Sequence, residues 1–576
     1  MQQLTCDVLI VGAGGAGLRA AIEARSLGAD VFVVSKGTPG QAGTTRAAAS
    51  DWMAYGAAFG HADERDSPHE HWVDIMAKGG LVCRPELSRR IAFEAPARLL
   101  ELEAWGANFD KTRDGRFKQV LSDGARFPRA CGRGADTGPV IMDVLMARAE
   151  ELGVRLLGET MIVDVLLDDD GAVAGCWGLT GSDDELLVVQ CSAVVLAAGG
   201  AGKLYELNVH PEGMTGDAYA LALRAGAPLV NMEFIQIGPS IVHPLHFALS
   251  GVFWRLKPRL TNGRGEEFVE SYFPAGSDIA AAIYQKGYSY PFSVRIPSKW
   301  VDVAAYTEIA EGRGTAHRGV LLDISHNDPL LIQQEAHVPC EHLLRHGVDI
   351  RRQPVEFAPA VQHFNGGVAI GESAATGVPG MFAAGESAGG QHGADRPGGN
   401  ALADCQVFGR IAGQSAADSA RQKASASLSE ALVRQAQAAY EALAMPASGE
   451  PAQVARERLA RAMWLGCCVV RTEESLSRAL AAAQAAQQTV AGVAGSPRER
   501  AELRNLALVG RAVAKAALTR TESRGTHYRA DCTQVNAPAW QNMLRCSLDD
   551  AAVVVTRMPP VELPPELAGI EKMLEG

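Results

Sequence analysis

The segment Cys6-Asp7-Val8-Leu9-Ile10-Val11-Gly12-Ala13-Gly14-Gly15-Ala16-Gly17 carries the reading of the fold. Its mostly apolar run from Cys6 to Val11 reads as a strand that stops at Gly12. An Ala-rich stretch to about Leu27 then reads as a helix, and Ala29-Asp30-Val31-Phe32-Val33-Val34 as a second strand. Strand, glycine turn, helix, strand is a βαβ unit. Gly12, Gly14 and Gly17 stand at the G-x-G-x-x-G spacing. Glycines there permit the tight turn and a close backbone approach, and the helix N-terminus attracts a pyrophosphate. The spacing alone is a weak signal; in full strand–turn–helix context it points to a bound dinucleotide, with Gly15 and Ala16 in the same turn.

Working outward, the carboxylate expected at the end of the second strand, for the ribose, is missing; Ser35 and Lys36 stand there instead. That weakens a nicotinamide reading and calls for a ribose partner elsewhere. Glu386 is the candidate, since it follows the apolar run from Gly380 to Gly385 and so sits at a strand's C-terminal edge, where ligands collect in open α/β sheets. A solvated loop glutamate is the alternative. Soon after, Gly398 and Gly399 precede a helical stretch opening with Asn400, and such a terminus suits the anionic N1–C2=O edge of a reduced flavin. Arg396, just before it, reads as a carboxylate anchor.

Composition bounds the rest. At 576 residues the chain is too long for one core. Its net charge of -12 argues against nucleic acid, and no apolar run approaches the ~20 residues that span a bilayer. With Met1 leading almost directly into a strand, the expectation is a cytoplasmic protein without membrane insertion. The 11 cysteines show no C-x-x-C spacing, so neither a metal site nor a second redox centre is read from them. Residues 231 to 353 are richer in aromatics and proline, and after Gly413 the sequence turns Ala-, Gln-, Glu- and Arg-rich. Breaks at Pro446–Gly449 and Gly495–Pro497 suggest a helical bundle.

At this point the sequence resembles the flavoprotein family of succinate dehydrogenase, fumarate reductase and L-aspartate oxidase. The resemblance rests on Gly12 to Gly17, Ser35-Lys36-Gly37, Ala197-Ala198-Gly199-Gly200, Thr215-Gly216-Asp217, Gln362 to Gly367, Gly385-Glu386 and His392 to Asp404. It continues through Met463-Trp464, Val470 to Glu474 and Glu522 to Arg529. It implies an α/β fold: a Rossmann-like FAD-binding domain (1–230 and 354–418), an inserted α+β capping domain (231–353), a C-terminal helical domain (419–535) and a tail (536–576). It implies an FAD-dependent dehydrogenase or reductase that passes hydride between flavin N5 and a carbon near a carboxylate. By it, Ala198, Gly199 and Asp217 join the cofactor residues, Glu386 is the ribose ligand, and Asn400, Ala401 and Leu402 lie along the flavin pyrimidine edge. Arg396 and His363 are similar to two substrate-carboxylate ligands.

The departures are as informative. Gly43-Thr44-Thr45-Arg46 occupies the stretch where succinate dehydrogenases carry a flavin-linking His; with Thr44 there, FAD is expected to be non-covalent. The Gln-Phe-His-Pro-Thr motif becomes Gln236-Ile237-Gly238-Pro239-Ser240. The Thr-Glu-Gly loop is replaced by His246 to Arg255. A buried carboxylate needs paired charge or several donors, so succinate and fumarate are not the expected substrates. Gly238 is expected to enlarge the pocket, with Phe247, Phe253 and Trp254 either lining it or forming capping-domain core. Arg295 and Lys299 are the candidates for handling the proton, with a surface cation as the alternative for each. The rival readings are an L-aspartate-oxidase-like enzyme using oxygen and a flavoprotein subunit whose partner carries iron–sulfur centres.

Overall fold

The computed structural model describes residues 1–47, 53–423 and 428–574. At its centre is a five-stranded, all-parallel sheet in the order Met381–Ala383, Ala193–Leu196, Val8–Val11, Val31–Val34, Arg155–Leu157. Parallel strands covered on both faces read as unbroken apolar runs, and every residue of Val8–Val11, Val31–Val34 and Ala193–Leu196 is buried.

The crossover helix Gly15–Ser26 packs along the long helix Asn400–Gln422. Glycine permits that closeness: a Cβ on Gly413 would lie 2.2 Å from the Ala20 carbonyl oxygen, and one on Gly409 2.7 Å from that of Ala16. The strand before the unit, Gln2–Thr5, joins the mostly antiparallel sheet formed by Glu185–Gln190, Val173–Thr180 and Thr160–Leu167.

Between the last two strands of the parallel sheet the chain builds a separate antiparallel sheet: Phe247–Ala248, Ile235–His243, Val355–Phe364, Val320–Asp323, Arg259–Thr261. Ile235–His243 and Val355–Phe364 enter and leave this insertion side by side and run up to the cleft. The helices Ala452–Cys467, Glu473–Thr489 and Pro497–Thr519 pack on one another. Reciprocal N-terminal caps at Thr472/Ser475 and Ser496/Glu499 fix where the second and third begin.

The segment read as a tail is structured. Asn542–Asp549 and Ala552–Pro560 form a hairpin whose first strand pairs with Leu229–Val230, extending a sheet that also holds Gly367–Ala369 and Ala388–Gly389. Leu544 and Cys546 are fully buried there. Asp550 and Ala551 at the turn both have positive φ, 42° and 63°, the backbone that suits a tight two-residue hairpin connection.

Candidate active site

The C-terminal ends of the parallel strands open on a cleft. Gly12, Gly14, Gly15, Ala16, Ser35, Lys36, Gly43, Thr44, Thr45, Ala198, Gly199, Asp217 and Glu386 line it. Gly17 lies just beneath. Gly12 has φ of 113°, and a Cβ there would sit 2.3 Å from the Ala197 carbonyl oxygen; one on Gly17 would meet the Gly12 oxygen at 1.8 Å. The helix Gly15–Ser26 begins at Gly14 without a side-chain cap, which leaves its first N–H groups to be met by something other than a capping side chain. A cradle of this kind suits a pyrophosphate.

Lys36 does not stand in for the missing acidic residue. Its Nζ lies 2.9 Å from Asp217 Oδ2 and donates to Glu502 at 2.8 Å and Thr215 at 2.6 Å. Burial works against its charge, yet Asp217 and Glu502 outweigh it and hold the ammonium above the ordinary lysine range. Asp217 also accepts from Thr215 at 2.8 Å and from Asn505 at 2.9 Å. One wall of the cleft is thus pinned by Glu502 and Asn505 of the helical layer, residues that sequence reading missed because they lie far along the chain. Among the described residues, the Thr44 hydroxyl is buried without a partner.

Glu386 stands where the strand Met381–Ala383 ends. Its Oε1 accepts from the Phe364 amide at 2.9 Å and lies 3.5 Å from His210 Nε2 and 3.6 Å from His363 Nδ1. Burial opposes its charge, but His363, His210 and the Phe364 amide prevail and hold the carboxyl at about 2. Burial drives the His363 imidazole well below the ordinary histidine range despite Glu386. From His363 a set of buried polar atoms without partners among the described residues runs toward the 391–404 segment: His363 Nε2, His392 Nδ1, both amide atoms of Asn365, Gln391 Oε1 and Asn400 Nδ2. Each such atom costs about 1–3 kcal/mol if nothing answers it. Asn400 accepts from His71 Nε2 at 2.9 Å and opens the helix Asn400–Gln422, which Gly399 (φ 90°) starts without a side-chain cap. Ala401 and Leu402 follow in its first turn. Glycine cradle, uncapped helix starts and unanswered polar atoms together fit a dinucleotide carrying a polar ring system.

Arg396 is placed with Gln236. Its Nη2 donates to Gln236 Oε1 at 2.7 Å, Nη1 donates to the Pro397 carbonyl at 3.0 Å, and Nε has no partner among the described residues. His363 faces Glu386; its neighbour Gln362 is the extra residue at the register shift opposite Gln236 and Ile237, and it reaches Gly238.

There the structure corrects the expectation of an enlarged pocket. The space beside Gly238 is filled: a Cβ would lie 2.7 Å from Gln362 Nε2 and 2.8 Å from Tyr290 Cε1. Gln362 donates to the Tyr290 hydroxyl at 3.1 Å, which itself donates to the Pro239 carbonyl.

Phe253 and Trp254 are core, Trp254 edge-on to Phe357 at 5.5 Å, and Phe247 stacks on His342 at 4.6 Å. Arg295 donates to the carbonyls of Ala77 and Met573, and Lys299 to the Val294 carbonyl at 2.9 Å while lying over the rings of Trp300 and Tyr528. A third group missed from sequence is Asp395, buried 3.5 Å from Gln236 Nε2 and 3.7 Å from Lys78 Nζ. Lys78 also pairs with Asp123.

A family model described as FAD binding domain matches residues 7–402, and one described as fumarate reductase flavoprotein C-term matches residues 456–563. The chain is 36% identical to a fumarate reductase (CoM/CoB) subunit of Methanothermobacter marburgensis over 553 residues, 94% of this chain and 96% of that protein. It is 30% identical to L-aspartate oxidase of Streptomyces coelicolor, covering 99% of this chain and 96% of that protein. Among solved structures, Mycobacterium smegmatis Sdh1 in complex with UQ1 superposes with a TM-score of 0.88 at 33% identity, over 100% of this chain and 98% of that one.

Proposed function

The chain belongs to the FAD-dependent oxidoreductase family of fumarate reductase, succinate dehydrogenase and L-aspartate oxidase flavoproteins, and from that premise we propose that it oxidises or reduces a small acid beside a single carboxylate, one other than succinate or fumarate. Bound FAD supplies the two-electron hydride chemistry. The chain's own residues bind and orient. Gly12 to Gly17 take the pyrophosphate, Glu386 the ribose, and Asn400, Ala401 and Leu402 the flavin edge. Thr44 leaves the cofactor non-covalent. Residues 1–230 and 354–418 form the cofactor domain, 231–353 the cap and 419–535 the helical domain.

The observation that carries the substrate reading is that Arg396 is set against the uncharged Gln236, with acidic groups such as Asp395 and Glu386 acting on its charge. Its partner is Gln236, its Nε is unused, and further along Gln236's strand the site of Gly238 is filled by an amide and a phenol. One guanidinium holds one carboxylate well. A second carboxylate finds no second charge among Gly238, Gln362 and Tyr290, and desolvating it there is costly. His363, beside Glu386, serves the cofactor side as much as the substrate side. Arg295 and Lys299 remain the proton-handling candidates, each needing to leave its carbonyl partners.

Anaerobic mixing with a panel of carboxylic and amino acids, read as bleaching of the flavin absorbance, tests this. Monocarboxylates should bleach it, and efficient bleaching by succinate would overturn the reading. A second reading, an amino-acid oxidase, is favoured by the near full-length match to an L-aspartate oxidase, and peroxide formed on turnover with aspartate would select it. For the electron acceptor we propose an iron–sulfur or other electron-transfer partner, since the Methanothermobacter relative is named as one subunit of its enzyme. Among the described residues no helix is long and apolar enough to cross a membrane.

A further inference from the structure

Away from the cleft, three segments of the inserted sheet bring potential metal ligands to one point. His243 ends the strand Ile235–His243 and lies directly opposite Glu356 on Val355–Phe364. His317 comes from the turn before Val320–Asp323, and its Nδ1 lies 3.0 Å from Glu356 Oε1. The imidazoles of His243 and His317 lie parallel, 3.6 Å between centroids and 2° from coplanar in orientation. One ligand atom from each of the three residues falls within 4.8 Å of the others.

We propose that His243, His317 and Glu356 form a binding site for a first-row divalent transition metal ion, zinc being the type case. Two imidazole nitrogens and one carboxylate oxygen are the donor set such ions take, with water completing the coordination; calcium and magnesium prefer all-oxygen shells. The site also has outer support of the kind metal ligands carry. Thr315 Oγ1 donates to the second oxygen of Glu356 and accepts from the Gly319 amide at 3.0 Å, which fixes the carboxylate's orientation. Arg318, the nearest cation in sequence, is drawn away to Glu206. The His317 side chain is 49% exposed, so it has room to turn about its Cβ–Cγ bond and aim a nitrogen at the ion. A bound ion would tie the end of one strand, a turn and the start of another at the rim of the inserted sheet. No sequence spacing signals this site, because its residues are scattered over three segments.

The test uses FAD-loaded protein washed with a chelator, titrated with zinc chloride against a chromophoric competitor, and repeated with cobalt(II) to read the ligand-field absorbance. One equivalent should bind. H243A, H317A and E356Q should each weaken binding more than about 100-fold, and T315V about 10- to 100-fold, with the flavin spectrum unchanged. Failure to bind, or binding of equal affinity in an H243A/H317A double variant whose flavin spectrum is intact, would overturn the proposal.

Discussion

Arg396 and Gln236 hold each other at both ends: the guanidinium donates to the Gln236 side-chain oxygen at 2.7 Å, and the Gln236 amide donates back to the Arg396 carbonyl at 3.1 Å. The clasp positions the arginine but leaves its Nε unused. Arg396→Ala should therefore abolish flavin reduction by substrate while leaving reduction by dithionite intact. Losing a desolvated charge partner costs about 3–5 kcal/mol, hundreds-fold or more in rate. Full activity in this variant would remove Arg396 from the site.

Glu386 reaches toward the cleft with one oxygen engaged by the Phe364 amide. If its carboxylate also holds the ribose, Glu386→Ala lowers FAD affinity by about 1–3 kcal/mol. Flavin content after dialysis measures this, and unchanged occupancy would place the ribose ligand elsewhere.

Thr44 offers no imidazole for a flavin linkage. Acid precipitation should leave a yellow supernatant, whereas flavin retained in the pellet would mean a covalent bond through another residue.

Gly238 has no room for a side chain. Gly238→Ala forces the new methyl against the Gln362 amide and the Tyr290 ring, and such overpacking costs about 1–3 kcal/mol. Thermal denaturation should show the loss, and adding Gln362→Ala should restore part of it. An unchanged melting temperature in the single variant would mean that Tyr290 and Gln362 yield freely.

Asp395 governs a pH response. Burial, reinforced by Asp123 and opposed by Lys78, pushes its carboxyl up to about 7, whereas an unfolded aspartate titrates near ~3.9. The folded protein therefore keeps this proton where the unfolded chain has released it, and its contribution to stability falls as pH rises from about 4 to 7. Asp395→Asn should flatten that slope and gain on the order of a few kcal/mol at pH 8 relative to wild type. Denaturant unfolding at pH 5 and pH 8 measures it; an unaltered slope would contradict the assignment.

The fold class was legible because its signals are local. Glycine spacing after an apolar run marks the βαβ unit, unbroken apolar strands mark a buried parallel sheet, and Glu386 is visible at a strand's end. What stayed hidden depends on pairing. Gln362 and His363 are adjacent, so which one meets the substrate side is set by register against Ile235–His243, and that register shifts between Gln236 and Ile237. Gly238 announces a missing side chain but not that Tyr290, from a distant segment, fills the place. The strand Ala552–Pro560 is largely exposed, so its alternation is too weak to mark it as a strand before its partner is known.

That hairpin also sets an order of events during synthesis. Leu229–Val230 emerges from the ribosome long before Asn542–Asp549, the strand it must pair with. Until then one edge of the sheet holding Gly367–Ala369 and Ala388–Gly389 stays open, and open strand edges attract other chains. A nascent chain stalled before residue 542 would be expected to depend on chaperones and to retain flavin poorly.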